Sequence, residues 1–157
     1  MIDVTGDLWT YPADVRAITT NGFVKKNGEC VMGRGCAMQA RDRWPWLAER
    51  LGSALRQYGN RCFTWWVEGD PDFRLLTFPV KPAHGPNGEP GWSCEADLGL
   101  IEQSARQAME MADKYGWERI VLPRPGAGNG RLPWLAVRAV LYPILDHRFH
   151  VITFDRS

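Results

Sequence analysis

Residues 122–134 read LPRPGAGNGRLPW, in which a short apolar segment runs into alternating glycines and then into the expected start of a helix. Glycine is favoured where the backbone adopts positive φ or where another group approaches it closely. Gly126, Gly128 and Gly130 therefore predict a tight turn with accessible N–H groups. Unpaired N–H groups and a helix dipole favour an anion, so this turn predicts a phosphate site.

A second glycine loop lies in residues 27–40, NGECVMGRGCAMQA, where Gly33 and Gly35 flank Arg34. Neither loop continues into the Gly-Lys-Ser/Thr of nucleoside-triphosphate loops, and neither has the G-x-G-x-x-G spacing of dinucleotide folds. Two such loops in one small domain predict that a diphosphate is held from both sides. The alternative is that each turn only packs a helix against a sheet.

Short β-branched and aromatic segments alternate with helical patterns along the chain. The six predicted strands are residues 2–5, 15–20, 61–67, 74–80, 119–123 and 150–154. This alternation predicts an α/β fold with a central mixed, largely parallel sheet between two layers of helices, and one domain over residues 1–157. In such sheets ligands bind beyond the carboxyl ends of the strands, where both glycine loops lie.

Four helices are predicted from apolar residues that recur every three or four positions. The first continues the first glycine loop, and the other three cover residues 47–58, 98–112 and 133–146. Gly59 and Gly116 are natural helix stops after the second and third of them.

The predicted helix ends rest on capping residues and prolines. Ser93 is expected to cap the third helix, with Glu95 and Asp97 in its first turn. Pro133 fits the first turn of the last helix, and Pro143 is expected to distort or shorten its end.

The composition excludes several classes of protein. With 19 basic and 18 acidic residues the net charge is only +1, so no global basic field attracts nucleic acid. The cysteines have no CxxC spacing and the histidines complete no zinc pattern, so no metal is expected. No signal peptide and no apolar run of about 20 residues is present, which predicts a soluble, cytoplasmic protein, with thiol cysteines and no contact with a membrane. We also expect a monomer.

Five segments, taken in order, carry a resemblance to a known family. They are GDLW (6–9), ITTN (18–21), VMGRGCAMQ (31–39), TFPVK (77–81) and LPRPGAGNGRLPW (122–134). Together they resemble a macrodomain, the ADP-ribose-binding module, which implies a three-layer α/β/α fold. The chain is most similar to the branch that contains terminal ADP-ribose glycohydrolases and the antitoxin macrodomain that removes ADP-ribose from DNA thymidine. ADP-ribose is then ligand or product, the substrate is ADP-ribosylated DNA or protein, and no cofactor is needed.

The resemblance implies roles for three polar or aromatic residues. Asp7 matches the residue that accepts a hydrogen bond from the adenine amino group, a role that suits a carboxylate; the alternative is a turn-forming aspartate. Phe154 matches an aromatic wall beside the adenine, unless it is a core residue. Asn21 lies where the family has an asparagine near the distal ribose, or else it only ends a strand.

The other residues that the resemblance implies for ADP-ribose binding lie beside Asp7 and in the two loops. They are Leu8, Met32, Gly33, Arg34, Gly35, Cys36, Ala37, Pro125, Gly126, Ala127, Gly128, Asn129, Gly130 and Arg131. Arg131 adds a charge to the second loop, or is simply exposed at a helix start.

Lys81 matches the catalytic lysine of this branch, with Asn21 as the second catalytic candidate. A lysine can attack the anomeric carbon of the distal ribose as a neutral amine, or it can activate the leaving group. Because the pKa of a free lysine is about 10.4, attack requires burial or a neighbouring cation. The alternative is a surface lysine after a strand.

Two features bear on activity and specificity. Gly130 stands where the terminal glycohydrolases have an aspartate, which leaves three functions open: an ADP-ribosyl hydrolase, a non-catalytic ADP-ribose reader, and a phosphatase of ADP-ribose 1″-phosphate. The long Gly- and Pro-rich loop of residues 84–95 carries Trp92, which could stack a base.

Overall fold

The computed structural model of the chain describes residues 1–154. Over these residues the strands are β1 (Ile2–Thr5), β2 (Val15–Asn21), β3 (Thr64–Val67), β4 (Phe73–Lys81), β5 (Ile120–Pro123) and β6 (Phe149–Thr153). They form one sheet in the order β1-β6-β5-β2-β4-β3. Neighbouring strands are parallel except for β3 and β4, which are antiparallel. The predicted mixed, largely parallel sheet is confirmed.

Helices cover both faces of this sheet: α1 (Gly35–Arg43), α2 (Leu47–Tyr58), α3 (Leu98–Tyr115) and α4 (Trp134–Leu141). Successive residues of a strand point to opposite faces. Accordingly, Leu75 of β4 packs in the core formed with α1 and α2, and Leu76 packs in the core formed with α3 and α4. The two cores account for the predicted three-layer α/β/α fold, which is confirmed.

The cap predicted for α3 is wrong. The helix is capped by Asp97, whose side chain accepts a hydrogen bond from the N–H of Leu100 at 2.9 Å. Ser93 instead lies in a short 3-10 turn, Gly91–Ser93. The chain between them is held outside the helix, because the N–H of Ala96 donates to the carbonyl of Gly130 and the N–H of Asp97 donates to that of Val80.

The last helix is shorter than predicted. It ends at Leu141, because Pro143 has no N–H to continue it, and Pro133 is its cap residue instead of part of its first turn. The strand β6 ends at Thr153, so Phe154 lies just beyond it.

The carboxyl ends of the parallel strands meet at one edge of the sheet. The crossover from β4 through α3 to β5 passes β2, so the chain changes direction between β2 and β5, as at the ligand sites of open α/β sheets. Asn21 at the end of β2 is the register partner of Lys81 at the end of β4. This topology brings the two predicted catalytic residues side by side. Among residues 1–154, no helix is both long and apolar enough to cross a membrane.

Candidate ligand-binding cleft

A cavity of about 450 Å³ opens at the carboxyl ends of β2, β4 and β5. This volume falls within the range of small-molecule sites. Twelve of the residues predicted to bind ADP-ribose or to act in catalysis line it: Asn21, Met32, Gly33, Arg34, Gly35, Cys36, Ala37, Lys81, Gly126, Gly128, Asn129 and Gly130. The two glycine loops therefore face one cleft.

The first loop runs directly into a helix. α1 begins at Gly35, and the side chain of the preceding Arg34 makes no capping hydrogen bond. The first N–H groups of a helix have no partner within it. Those of Gly35, Cys36 and Ala37 therefore stand at the cleft with the positive end of the helix dipole, which favours an anion there.

The second loop differs from the prediction in one respect. α4 begins at Trp134, within one residue of the predicted start, but the glycines of the loop precede the helix and are not part of its first turn. The loop is closed by its own hydrogen bonds, from Arg131 to the carbonyl of Gly128 at 3.0 Å and from Leu132 to that of Gly126 at 2.9 Å. Within residues 1–154, the N–H groups of Gly128 and Asn129 donate to no protein acceptor. An anion here meets loop N–H groups without a helix dipole.

The two loops touch each other beside the cleft. A Cβ atom added at Gly35 would lie 3.1 Å from Nδ2 of Asn129. This approach places the donors of both loops around one space, which is the arrangement that a diphosphate requires.

Lys81 is half-buried and lines the cavity. Its Nζ donates a hydrogen bond to the carbonyl of Trp92 at 3.0 Å. The pKa of Lys81 is lowered, first because partial burial disfavours the charged amine, and then because Arg131 and Arg34 repel it; the charge of an ionised Cys94 would act in the opposite sense. Burial and neighbouring cations are the two features that were predicted to lower the pKa of a lysine nucleophile.

The side chain of Asn21 holds the backbone beside the cleft. Its Nδ2 donates to the carbonyl of Val31 at 2.9 Å, and its Oδ1 accepts from the N–H of Phe23 at 2.9 Å. Asn21 thus fixes the start of the first loop against the end of β2. One Nδ2 hydrogen and one Oδ1 lone pair stay available to a ligand.

The three residues predicted near the adenine do not line the cavity, although two of them lie along the same edge. Asp7 follows β1, and its Oδ1 accepts from the N–H of Trp9 at 2.7 Å, so one of its two carboxylate oxygens holds the turn. Phe154 is 69% exposed beyond β6, so it is not a core residue. Leu8 is buried in the core beneath them. Since strands lie about 4.8 Å apart, this edge extends roughly 19 Å from β1 to β4.

Three predicted residues of the second loop also lie outside the cavity lining. They are Pro125, Ala127 and Arg131. Arg131 is exposed, and its guanidinium donates to the carbonyl of Ser93 at 3.3 Å. It faces the rim of the cleft and acts on Lys81 through its charge.

Gly130 has no room for a side chain. It is buried, and a Cβ atom there would lie 2.5 Å from the carbonyl oxygen of Gly126 and 2.7 Å from Cβ of Ala96. Its carbonyl accepts the N–H of Ala96 at 3.0 Å. The packing of the loop therefore leaves no space for an aspartate side chain at this position.

Several residues of the cleft were not predicted from the sequence. They are Thr19, Thr20, Val31, Val80, Pro123 and Arg124. Most stand at the carboxyl ends of strands, which is the signal that could have found them. Arg124 also stacks on Trp134, with the guanidinium carbon 4.7 Å from the ring centroid.

A buried arginine supports the turn that carries Asp7. Arg16 of β2 is 2% exposed, and its Nη1 donates to the carbonyls of Leu8 at 2.7 Å and Tyr11 at 2.6 Å. Burial lowers the pKa of Arg16, and the nearby Asp7 charge opposes that effect. Arg16 fixes the backbone of the turn and so determines where Asp7 stands at the edge of the sheet.

Comparison with solved structures identifies the fold as that of macrodomains. The macrodomain of Mycobacterium tuberculosis DarG is 22% identical, with a TM-score of 0.75, over 100% of this chain and 99% of that one. The Thermus aquaticus DarG macrodomain is 23% identical, with a TM-score of 0.75, over 98% and 97%. Thermosipho africanus DarTG in complex with ADP-ribose is 19% identical, with a TM-score of 0.75, over 96% of this chain and 40% of that one.

The sequence matches no family model, and no curated protein matches it either. The likeness to solved structures confirms the predicted macrodomain fold. It is a likeness of fold at low sequence identity, so the function of this chain is argued from its own cleft.

Proposed function

We propose that this chain binds ADP-ribose in the cleft and releases it from a modified macromolecule, with Lys81 as the catalytic residue. One observation carries the proposal: a lysine with a lowered pKa stands in a cavity between two loops that present free N–H groups. Among residues 1–154, the lining includes Arg34, Lys81 and Arg124 and no carboxylate. Such a cavity favours a ligand with several negative charges.

The positions of the polar groups along the site support an ADP-ribose ligand. The two loops provide separate sets of donors for two phosphates, and Asn21 and Lys81 stand together at one end of the cleft. Asp7 and Phe154 stand at the other end of the same edge, where the adenine is proposed to lie. A solved protein with this fold, Thermosipho africanus DarTG, is in complex with ADP-ribose.

The proposed reaction uses Lys81 as a nucleophile. The neutral amine donates its electron pair to the anomeric carbon of the distal ribose, and the bond from that carbon to the carrier breaks with its electrons on the carrier. The proton lost by the amine is taken up by the carrier. Ring opening gives a protonated imine, and water adds to it, expelling the amine and leaving free ADP-ribose.

The pH dependence of release tests this role of Lys81. Because a neutral amine is required and the pKa of Lys81 is lowered, kcat/KM should rise with pH and level off with a midpoint below that of an ordinary lysine. Arg131→Gln removes a cation that lowers this pKa, so the midpoint should move to higher pH. Arg138→Gln is the control, because Arg138 lies on α4, contacts Asp3 and Tyr142, and does not line the cleft. A rate that falls as pH rises through the midpoint contradicts the nucleophile and indicates a protonated lysine.

Three substrates distinguish the proposed function from its alternatives. ADP-ribosylated thymidine in DNA, a glutamyl-ADP-ribosylated protein and ADP-ribose 1″-phosphate are each incubated with the protein, and the free products are quantified. The proposal predicts free ADP-ribose from one of the two macromolecular substrates. Phosphate released only from the third indicates a phosphatase.

A non-catalytic reader is the second candidate. It is favoured because no carboxylate among residues 1–154 lines the cavity to act as an acid or base, and Gly130 cannot be replaced by one. Binding of ADP-ribose without product from any of the three substrates would identify a reader.

A further inference from the structure

Trp92 differs from the other tryptophans of the chain. Seven of the eight pair their rings with another aromatic ring or with an arginine: Trp9, Trp44, Trp46, Trp65, Trp66, Trp117 and Trp134. Within residues 1–154, Trp92 makes neither kind of pair, although it lines the cleft and is 44% exposed. Its ring is left free at a site where a ligand is expected.

The backbone that carries Trp92 is held in place from several sides. The carbonyl of Trp92 accepts from Lys81 at 3.0 Å, and that of Ser93 accepts from Arg131 at 3.3 Å. Gly91 is buried against the carbonyl of Pro82, where a Cβ atom would overlap it, and its N–H donates to Ala83 at 2.8 Å. The backbone of Trp92 is therefore fixed, so only its side-chain torsions are ordered when a ligand contacts it.

The position of Trp92 relative to Lys81 determines which part of a substrate it meets. This step rests on the proposed function, in which the anomeric carbon of the distal ribose lies at Lys81 and the rest of ADP-ribose extends toward Asp7. The group attached to that carbon leaves from beside Lys81. Trp92 lines the cleft next to Lys81, whose Nζ donates to the backbone carbonyl of Trp92, so the indole belongs to the wall that the carrier group is proposed to meet.

We infer that Trp92 is a specificity-determining residue whose indole stacks on the carrier group of the substrate and selects a planar nucleobase over an aliphatic carboxylate side chain. Every nucleobase offers a π-face to an aromatic platform, and such stacking contributes measurably to binding. The short chain of a glutamyl ester offers no such face. Arg34 and Arg131 near Lys81 also favour a polyanionic carrier.

The test compares affinities in a background without turnover. Lys81→Arg removes the neutral amine and retains a donor for the carbonyl of Trp92. In this background Trp92→Ala, Trp92→Phe and the control Trp66→Ala are titrated with three ligands. Trp66 is a suitable control because it is 52% exposed on β3 and does not line the cleft. The ligands are ADP-ribose, a single-stranded oligonucleotide carrying ADP-ribosylated thymidine, and a glutamyl-ADP-ribosylated peptide.

Trp92→Ala should weaken the binding of the oligonucleotide by about tenfold to a hundredfold, and the binding of the other two ligands by less than about threefold. Trp92→Phe should retain most of the oligonucleotide affinity, and Trp66→Ala should leave the affinities for all three ligands unchanged. The inference is overturned if the affinities for all three ligands fall equally, or if the affinity for the oligonucleotide does not fall.

The same measurements can contradict the proposed function and the role of Trp92 independently of each other. If the wild-type protein releases no ADP-ribose but the selective effect of Trp92→Ala is observed, the specificity role stands and the hydrolase does not. If it releases ADP-ribose from the peptide and Trp92→Ala has no selective effect on affinity, the hydrolase stands and the inference is wrong.

Discussion

Replacing Lys81 with alanine is expected to lower the rate of ADP-ribose release by about 10²–10⁴-fold, because the reaction loses its nucleophile. The affinity for free ADP-ribose should change by less than about threefold, since the phosphates are proposed to bind the two loops. Release is measured by quantifying free ADP-ribose under single-turnover conditions, and affinity is measured by calorimetry. Lys114→Ala is the matched control, because Lys114 lies on the surface of α3 and outside the cleft.

Lys81→Arg separates the two chemical roles of this residue. Arginine retains the positive charge and can donate to the carbonyl of Trp92, but it is not deprotonated at ordinary pH. If the amine is the nucleophile, the arginine variant should be as inactive as the alanine variant. Substantial activity in Lys81→Arg, or normal release by Lys81→Ala, would show that the assignment is wrong.

Gly130→Ala should have the second-largest effect, because the added methyl group would overlap the backbone of Gly126 and the side chain of Ala96. We expect the free energy of unfolding to fall by about 1–3 kcal/mol. The affinity for ADP-ribose should fall by at least tenfold (about 1.4 kcal/mol), because the displaced loop no longer presents its N–H groups. Denaturant titration and calorimetry measure the two effects.

Gly128→Ala is the matched control for the loss of stability within the same loop, because a Cβ atom there would have no protein neighbour within 4 Å. The same packing predicts the effect of placing at position 130 the aspartate that the terminal glycohydrolases have there. Gly130→Asp should disrupt the loop and should not raise the rate of ADP-ribose release. A stable Gly130→Asp protein with faster release would contradict the packing and would indicate that a side chain at this position can enter the cleft.

The fold was predictable because its signals are local. The alternation of β-branched segments with amphipathic helices specifies the layers, and the buried pair Leu75 and Leu76 shows the expected change of face along β4. The ends of elements were less predictable, because they depend on tertiary hydrogen bonds. Ser93 was expected to cap α3, but the bonds of Ala96 and Asp97 to distant carbonyls move the helix start to Asp97.

The loop residues of the site were predictable in part because glycine spacing and strand ends are visible in the sequence. The side-by-side placement of Asn21 and Lys81 was not, since it depends on the register between β2 and β4. The Arg16 contacts that fix the turn of Asp7 were also invisible, because an arginine in a strand gives no indication of burial. The closed space at Gly130 depends on Ala96, which is 34 positions away in sequence (130 − 96).

Titration of the wild-type protein with ADP-ribose by calorimetry tests the central claim most directly, because every proposed role of the cleft requires this ligand. We predict saturable binding with one site per chain, weakened in Gly130→Ala and retained in Lys114→Ala and Lys81→Ala. If ADP-ribose does not bind at all, the cleft is not an ADP-ribose site, and the hydrolase, the reader and the phosphatase are all excluded.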